Sequence, residues 1–194
     1  KPLSLLDHDG TTVPDQDAAR VLNSTFCSVF TREPDTTLPV FPCFDHPLMP
    51  DLIFEPRGIL KLIESLKLTS SAGVDGINAK ILVNTKHISS IILAHIFQQS
   101  LSSSTVPQDW KVGKVIPVPK KGPSQSPSNY RPISLTCVCS KLMEHVIHSH
   151  VVNFLLSNNF FHPNQHGFRK GRSCDTQLAL FIHDLSSSLD NNIP

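Results

Sequence analysis

The chain has 194 residues, of which 39% are hydrophobic, enough for one core of ordinary size with polar segments left over. A formal net charge of +1 excludes a uniformly basic or acidic protein, yet the charges are segregated along the chain. Residues 105–172 carry 9 Lys/Arg against 2 Asp/Glu, whereas residues 1–104 carry 8 against 11 and residues 173–194 carry 0 against 3. A basic internal stretch of this kind is typical of phosphate contact, with a solvated basic surface as the alternative.

The cysteines and the apolar runs indicate in which kind of compartment the protein is expected and whether it contacts a membrane. Five cysteines at irregular spacing do not make a disulfide framework, and no secretory signal opens the sequence. The longest apolar clusters, such as residues 91–93, are far shorter than a membrane span. We therefore expect a soluble intracellular protein with no membrane contact, and we expect both ends to be cut from a longer polypeptide.

The front of the chain is predicted to hold one helix and an extended stretch. Apolar residues keep helical spacing from Asp15 to about Phe30, which predicts an amphipathic helix. Residues 31–51 contain five prolines, which forbid a regular helix. Residues 1–52 are therefore interpreted as a linker region that precedes the main domain, residues 53–194.

Helical patterns continue through residues 56–101. Pro56 suits a first helical turn, and the pattern that follows predicts a helix through about Leu68. Residues 70–76 contain two glycines and an Asp, which predict a compact turn, and a short helix is expected over Ala79–Val83. A further helix is predicted from about His87 to Leu101, and its interior residues are expected to be Ile88, Ile91, Ile92, Ile96 and Phe97.

The second half predicts a short hairpin followed by two helices. Residues 114–120 and 131–135 favour two short strands joined by a polar loop, although prolines confine them to an edge. A long helix through Leu142 and Leu155 should end at Asn158-Asn159. Ser173 is a predicted N-cap for the last helix, and its buried stripe is expected to comprise Leu178, Phe181, Ile182, Leu185 and Leu189. These elements together predict a helix-rich α+β fold.

Cations cluster at two places in the basic block. One set flanks the predicted hairpin and comprises Lys111, Lys114, Lys120, Lys121 and Arg131. The other lies in residues 165–173, where three cations and two glycines directly precede a helix, an arrangement suited to anions. Trp110, Tyr130 and Phe168 lie among these cations and are candidates for stacking on bases, although a lone Trp is more often a core or boundary residue.

The order of six short motifs resembles that of the reverse transcriptases of non-LTR retrotransposons, the LINE elements of jockey-like and CR1-like type. Each motif is weak alone, but six in family order over about residues 53–194 are specific. They are SAGVDGI at 71–77, VPQDWK at 106–111, IPVPKKG at 116–122, NYRPISL at 129–135, SKLME at 140–144 and QHGFR at 165–169, the last continuing to Ser173. Residues 22–31 also resemble the stretch that joins an upstream endonuclease to the polymerase in these elements.

The resemblance implies that residues 53–194 form the fingers of the right-hand polymerase fold. It implies that Lys120 or Lys121, together with Arg131, contacts the triphosphate of the incoming nucleotide. The block from Gln165 to Arg169 would line the template, with Gly167 and Phe168 placing backbone against a base and Arg169 on a phosphate. Lys111 and Lys114 are further candidates for contact with the template backbone.

The resemblance also implies partners and a cofactor for the whole enzyme. The partners are an RNA template, a DNA primer, deoxynucleoside triphosphates, the palm and thumb, and an upstream endonuclease; the parent element would occupy a cytoplasmic ribonucleoprotein and the nucleus. Catalysis needs Mg²⁺ held by carboxylates of F-x-D and Y/F-x-D-D motifs, and neither string occurs in this chain. We therefore expect no catalytic residue and no metal ligand here, expect Asp184 to be a surface charge, and expect the chain alone to polymerise nothing.

Other interpretations remain open. Cys137, Cys139, His145, His148 and His150 lie close in sequence, but their spacing is not that of a zinc site, so buried cysteines and surface histidines are expected. A non-catalytic RNA-binding module, either a decayed copy or a domesticated remnant, is the alternative to a polymerase. An unrelated helical interaction domain would require the motif order to be a coincidence.

Overall fold

A computed structural model describes residues 5–6, 10–31 and 47–191, and these residues form two compact units. The first unit contains residues 5–6, 10–31 and 52–146, and the second contains residues 47–51 and 147–191. Most of the predicted extended stretch, residues 32–46, lies outside the described residues.

Three packed helices form one part of the first unit: α2 (Pro56–Glu64), α3 (Ala79–Asn84) and α4 (Lys86–Ser102). The Asn78 side chain begins α3 by accepting a hydrogen bond from the Ile81 amide at 3.0 Å. The prediction that α2 continues to about Leu68 is wrong, because its last turn closes at Ser65. The buried apolar residues of this part include Phe54, Ile59, Ile63, Ala79, Leu82, Leu93, Ala94 and Phe97.

The predicted interior of α4 is partly wrong. Phe97 is fully buried, but Ile88, Ile91 and Ile92 are exposed. The packed face carries Leu93 and Ala94 instead. Because α4 is apolar over much of its circumference, helical spacing alone did not distinguish the packed face from the free one.

The hairpin of the first unit consists of β1 (Lys114–Pro119) and β2 (Tyr130–Leu135), paired antiparallel. The prediction of two short strands in a helix-rich α+β fold is confirmed. A short 3₁₀ helix at Gln108–Lys111 precedes β1 and carries Trp110, whose ring packs edge-on against Phe97 at 5.7 Å. The boundary position predicted for this tryptophan is therefore confirmed.

The front helix packs against the hairpin loop. Helix α1 (Asp15–Ser28) lies close to a 3₁₀ turn at Pro127–Asn129, and the Leu6 amide donates to the Gln125 carbonyl at 2.8 Å. One buried cluster joins the two segments and comprises Leu5, Val13, Ala18, Leu22 and Tyr130. The first residue of β2 is thus held in an apolar environment supplied by the front of the chain.

Helix α5 (Val138–Ser157) runs out of the first unit into the second, and Asn159 with a φ of +54° follows its end. Helix α6 (Cys174–Asp190) begins at Ser173, as predicted, with a capping box in which the side chains of Ser173 and Thr176 each bond the other's backbone amide. The expected burial of its apolar stripe is wrong: Leu178, Phe181, Ile182, Leu185 and Leu189 are all exposed. Periodicity identifies residues that share a helix face, but not whether another element covers that face.

No helix in the described ranges is apolar over a length that would span a bilayer.

Candidate nucleic-acid interface

One face of the hairpin carries three of the predicted cations. Residues opposite each other in an antiparallel pair point to the same face, and side chains alternate along each strand. Arg131 pairs with Val118, and Lys114 lies four residues before Val118, so Lys114 and Arg131 share a face. The ladder continues beyond β1, where the Lys120 amide donates to the Asn129 carbonyl at 2.7 Å, which brings Lys120 to that face as well. From Lys114 to Lys120 this cation face extends roughly 20 Å.

The three cations differ in how firmly they are held. All are exposed. The Lys120 ammonium donates to the Ser128 carbonyl at 2.9 Å, and this bond joins the two ends of the hairpin loop. The side chains of Arg131 and Lys114 make no hydrogen bond or ion pair to other described residues.

Two other predicted cations lie off this face. Lys121 follows Lys120 in the loop, beyond the last hydrogen bond of the ladder, and is exposed. Lys111 ends the 3₁₀ helix that precedes β1 and is also exposed. The hairpin therefore groups Lys114, Lys120 and Arg131 and leaves Lys111 and Lys121 at its margins.

On the opposite face of the hairpin, Tyr130 is buried at the start of β2, whereas Val115, Pro132 and Ser134 are exposed. Tyr130 is 4% exposed, and its hydroxyl donates to the Ser124 carbonyl at 2.7 Å. The prediction that Tyr130 is a candidate for stacking on bases is wrong, because α1 covers its ring. Between α1 and this loop lies a pocket of about 670 Å³ whose lining includes Arg20 but none of the predicted phosphate-binding cations.

The second unit contains the Gln165–Arg169 turn, which was predicted to line the template. The Arg169 guanidinium donates to the carbonyls of His162 at 3.3 Å and Gln165 at 3.4 Å, and it lies 5.4 Å from the centre of the Phe161 ring. The Gln165 amide donates to the His162 carbonyl at 2.9 Å. Arg169 therefore ties together the chain on its N-terminal side, and part of its donor capacity is used inside the turn.

A buried histidine joins this turn to α6, a role that the sequence did not reveal. His166 is 3% exposed, and its Nδ1 lies 2.7 Å from the Thr176 hydroxyl while its Nε2 lies 3.2 Å from the Arg172 guanidinium. Because arginine only donates, Nε2 must accept, and Nδ1 carries the proton donated to Thr176. The same Thr176 hydroxyl belongs to the capping box, so the turn and the start of α6 form one hydrogen-bonded network.

Phe168 projects from the turn, and no described residue packs against its ring. Its relative exposure is 105% and its φ is +57°. Gly167 beside it is exposed, and a side chain there would meet nothing within 4 Å. Lys170 is exposed and forms no hydrogen bond or ion pair with the described residues.

The cysteines and histidines near α5 do not form a metal centre in the described part of the chain, where no group of three or more His, Cys, Asp or Glu side chains is placed to hold a metal ion. Cys137 and Cys139 are buried, as predicted. Burial raises the pKa of the Cys139 thiol to about 11, with the nearby Asp75 carboxylate adding to the effect. Asp184 is exposed, as predicted.

Comparison with known proteins places residues 118–192 in the family described as reverse transcriptase (RNA-dependent DNA polymerase). The chain is 30% identical over 151 residues to the "Probable RNA-directed DNA polymerase from transposon BS" of Drosophila melanogaster, which covers 76% of this chain and 17% of that protein. It is 26% identical over 148 residues to the "Probable RNA-directed DNA polymerase from transposon X-element" of the same organism, covering 76% of this chain and 16% of the relative.

A third relative, the "Putative 115 kDa protein in type-1 retrotransposable element R1DM" of Drosophila melanogaster, is 30% identical over 161 residues, or 80% of this chain and 14% of that protein. The chain thus spans about a sixth of the length of these relatives. The family match begins within β1 and extends past α6, so it includes Lys120, Arg131 and the whole Gln165–Arg169 turn. The match over residues 118–192 and the similarity to these three relatives support the interpretation of the chain as a fragment of a non-LTR retrotransposon reverse transcriptase.

Proposed function

We propose that this chain holds the incoming nucleotide and the template for an RNA-directed DNA polymerase whose acidic catalytic centre lies outside it. On the cation face of the hairpin, Lys120 and Arg131 receive the triphosphate, with Lys121 at its margin, and Lys114 contacts the template backbone. The Gln165–Arg169 turn, including Gly167 and Phe168, lines the template strand, and Lys111 contributes to the template backbone contact.

The observation that carries this proposal is the asymmetry of the hairpin. One face presents cations to solvent, while the other is anchored through Tyr130 to α1. A cation on an anchored strand opposes the charge on leaving phosphates without a large reorganisation, and it orients the nucleotide for in-line attack. A solvated basic surface would not require such anchoring.

Reverse transcriptases generally use divalent metal ions, and we propose Mg²⁺ for the whole enzyme. The described residues of this chain do not provide a fitting ligand set, so no step is assigned to a metal here. The whole enzyme would use an RNA template, a DNA primer and deoxynucleoside triphosphates, together with a palm, a thumb and an upstream endonuclease. We propose that the 194-residue chain alone extends no primer, and that its parent acts in a cytoplasmic ribonucleoprotein and in the nucleus.

Salt-dependent binding of single-stranded RNA tests whether the cation face binds phosphates, the groups that the template and the triphosphate share. Phosphate contacts release counterions, so the logarithm of affinity should fall linearly with the logarithm of salt concentration. The triple variant Lys114→Ala, Lys120→Ala, Arg131→Ala should bind at least tenfold more weakly. Its salt slope should be smaller by about 2, since each phosphate contact to a single strand contributes roughly 0.7.

A matched triple variant controls for net charge. Lys61, Lys67 and Lys80 are exposed lysines of the same unit that lie outside the hairpin. Their replacement by Ala removes the same charge and should change affinity less than twofold, with circular dichroism confirming that both variants fold. Equal loss in the two triple variants, or an affinity that is flat with salt, would contradict the assignment.

A further inference from the structure

Phe168 has two features that internal packing does not explain. Its ring is fully exposed at 105%, and its backbone adopts a φ of +57°, a region that bulky residues rarely occupy. An exposed aromatic ring in a strained backbone conformation contributes nothing to the core of its unit. Residues in such conformations persist where the surrounding structure enforces them, and they cluster at binding sites.

The surrounding turn does enforce this conformation. Arg169 is bonded to the carbonyls of His162 and Gln165, and Arg172 is bonded to the buried His166. Both guanidinium groups therefore act inside the turn. Gly171, with a φ of +76°, completes the reversal before Ser173.

Two residues of the turn remain directed to solvent. Phe168 offers an uncovered ring, and Lys170 offers an ammonium group that no described residue binds. They are two positions apart in a segment where Arg169, Lys170 and Arg172 supply only positive charge. The charge favours a polyanion, and the bare ring favours a planar apolar surface; a single-stranded nucleic acid provides both.

We propose that Phe168 and Lys170 bind one nucleotide of an unpaired strand: the ring stacks on the base and the ammonium pairs with a phosphate. Arg169, His166 and Arg172 are positioning residues that hold the turn in shape. The proposal rests on the assignment of this turn to the template and specifies which residues touch it. Bases within a duplex are stacked on each other, so the ring selects single strands.

Tryptophan at position 168 reports stacking directly. In the full chain carrying Phe168→Trp, a single-stranded RNA oligonucleotide should quench the new emission, while a duplex of the same length and inorganic polyphosphate should not. Trp110 packs against Phe97 in the first unit and provides a constant background, measured in the parent chain. Quenching by duplex or polyphosphate as strong as that by single strands would overturn the proposal.

Affinity measurements distinguish the contribution of the Phe168 ring to RNA binding from that of the Lys170 charge. Phe168→Ala should weaken binding of single-stranded RNA about tenfold, within the range expected for loss of one stacked base. The control Phe30→Ala removes another aromatic ring that is 73% exposed and should change affinity less than twofold. Lys170→Ala should reduce the salt slope by about 0.7, and Lys80→Ala should leave it unchanged.

Arg169→Lys tests the positioning role. The charge is retained, but lysine has no planar guanidinium group that can lie over Phe161 while one of its nitrogens donates to both carbonyls. In the Phe168→Trp background it should keep the salt slope and lose most of the quenching; full quenching would refute the positioning role. If Phe168→Ala binds like the parent while the hairpin triple variant is impaired, the stacking proposal fails and the proposed function stands. If no variant shows salt-dependent binding, both fail.

Discussion

Gly73 lies directly against the backbone of Cys137. A side-chain carbon on Gly73 would be 2.6 Å from the Cys137 nitrogen and 2.9 Å from the Thr136 carbonyl carbon, closer than such carbons approach backbone. The glycine turn at residues 70–76 is thereby pressed against the segment between β2 and α5. This contact gives a physical reason for glycine in the SAGVDGI motif: it sets the exit of the strand that carries Arg131.

The variant Gly73→Ala should therefore be destabilised by about 1 to 3 kcal/mol, the usual cost of inserting a carbon into a closely packed site. Urea unfolding followed by circular dichroism measures this as a lower midpoint. Gly58→Ala is the matched control, because Gly58 lies within α2 and an added carbon meets nothing within 4 Å. That variant should be stabilised by roughly 0.5 to 1 kcal/mol, as expected for Gly to Ala in a helix. Equal midpoints for the two variants would argue against the close approach.

Removing the anchor of the hairpin should loosen the hairpin itself. Leu22→Ala deletes a buried side chain of α1 from the cluster that contains Tyr130, at a cost of about 2 to 5 kcal/mol. Hydrogen exchange should speed up at the Lys120 amide, which closes the hairpin loop on Asn129. Val29→Ala, at an exposed position just after α1, should leave that exchange rate unchanged. If the Lys120 amide exchanges equally in both variants, α1 does not hold the hairpin.

The four cysteines within the described residues should react in two classes. The thiolate is the reactive form, and with a pKa of about 11 the Cys139 thiol is roughly 0.1% ionised at pH 8. Iodoacetamide at pH 8 should therefore modify the exposed Cys27 and Cys174 well before the buried Cys137 and Cys139, as read by peptide mass mapping. In urea, the four should react at similar rates. Rapid native labelling of Cys139 would show that the start of α5 is open.

The capping box should control the first turn of α6. Ser173→Ala removes the hydroxyl that accepts from the Thr176 amide at 3.2 Å, at a cost of about 1 kcal/mol. We expect faster exchange of the Thr176 amide. Ser186→Ala, at an exposed position inside α6, keeps the cap and should show the parent rate. Unchanged exchange in Ser173→Ala would mean that His166 and Thr176 maintain the helix start without the cap.

The local secondary structure could be predicted from the sequence because it depends on residues that are neighbours along the chain. The β-branched residues in 114–120 and 131–135 and the polar loop between these segments predicted the hairpin, which the prolines limited to short strands, and Ser173 predicted the start of α6. The motif order predicted the family, and the comparisons support it. Trp110 at a boundary and the buried cysteines also followed from ordinary preferences of those residue types.

What the sequence alone determined is the order and type of the elements, the block of positive charge and the family. Only the tertiary structure decided which surfaces are covered: Tyr130 is buried by α1, while Ile91 and Phe181 stay exposed although their helical spacing matches that of core residues. It also decided that Arg169 ties the turn together and that Phe168 stands free. The reason is that propensity and periodicity act over a few neighbouring residues, whereas burial depends on elements that are distant in sequence and meet only in the folded chain.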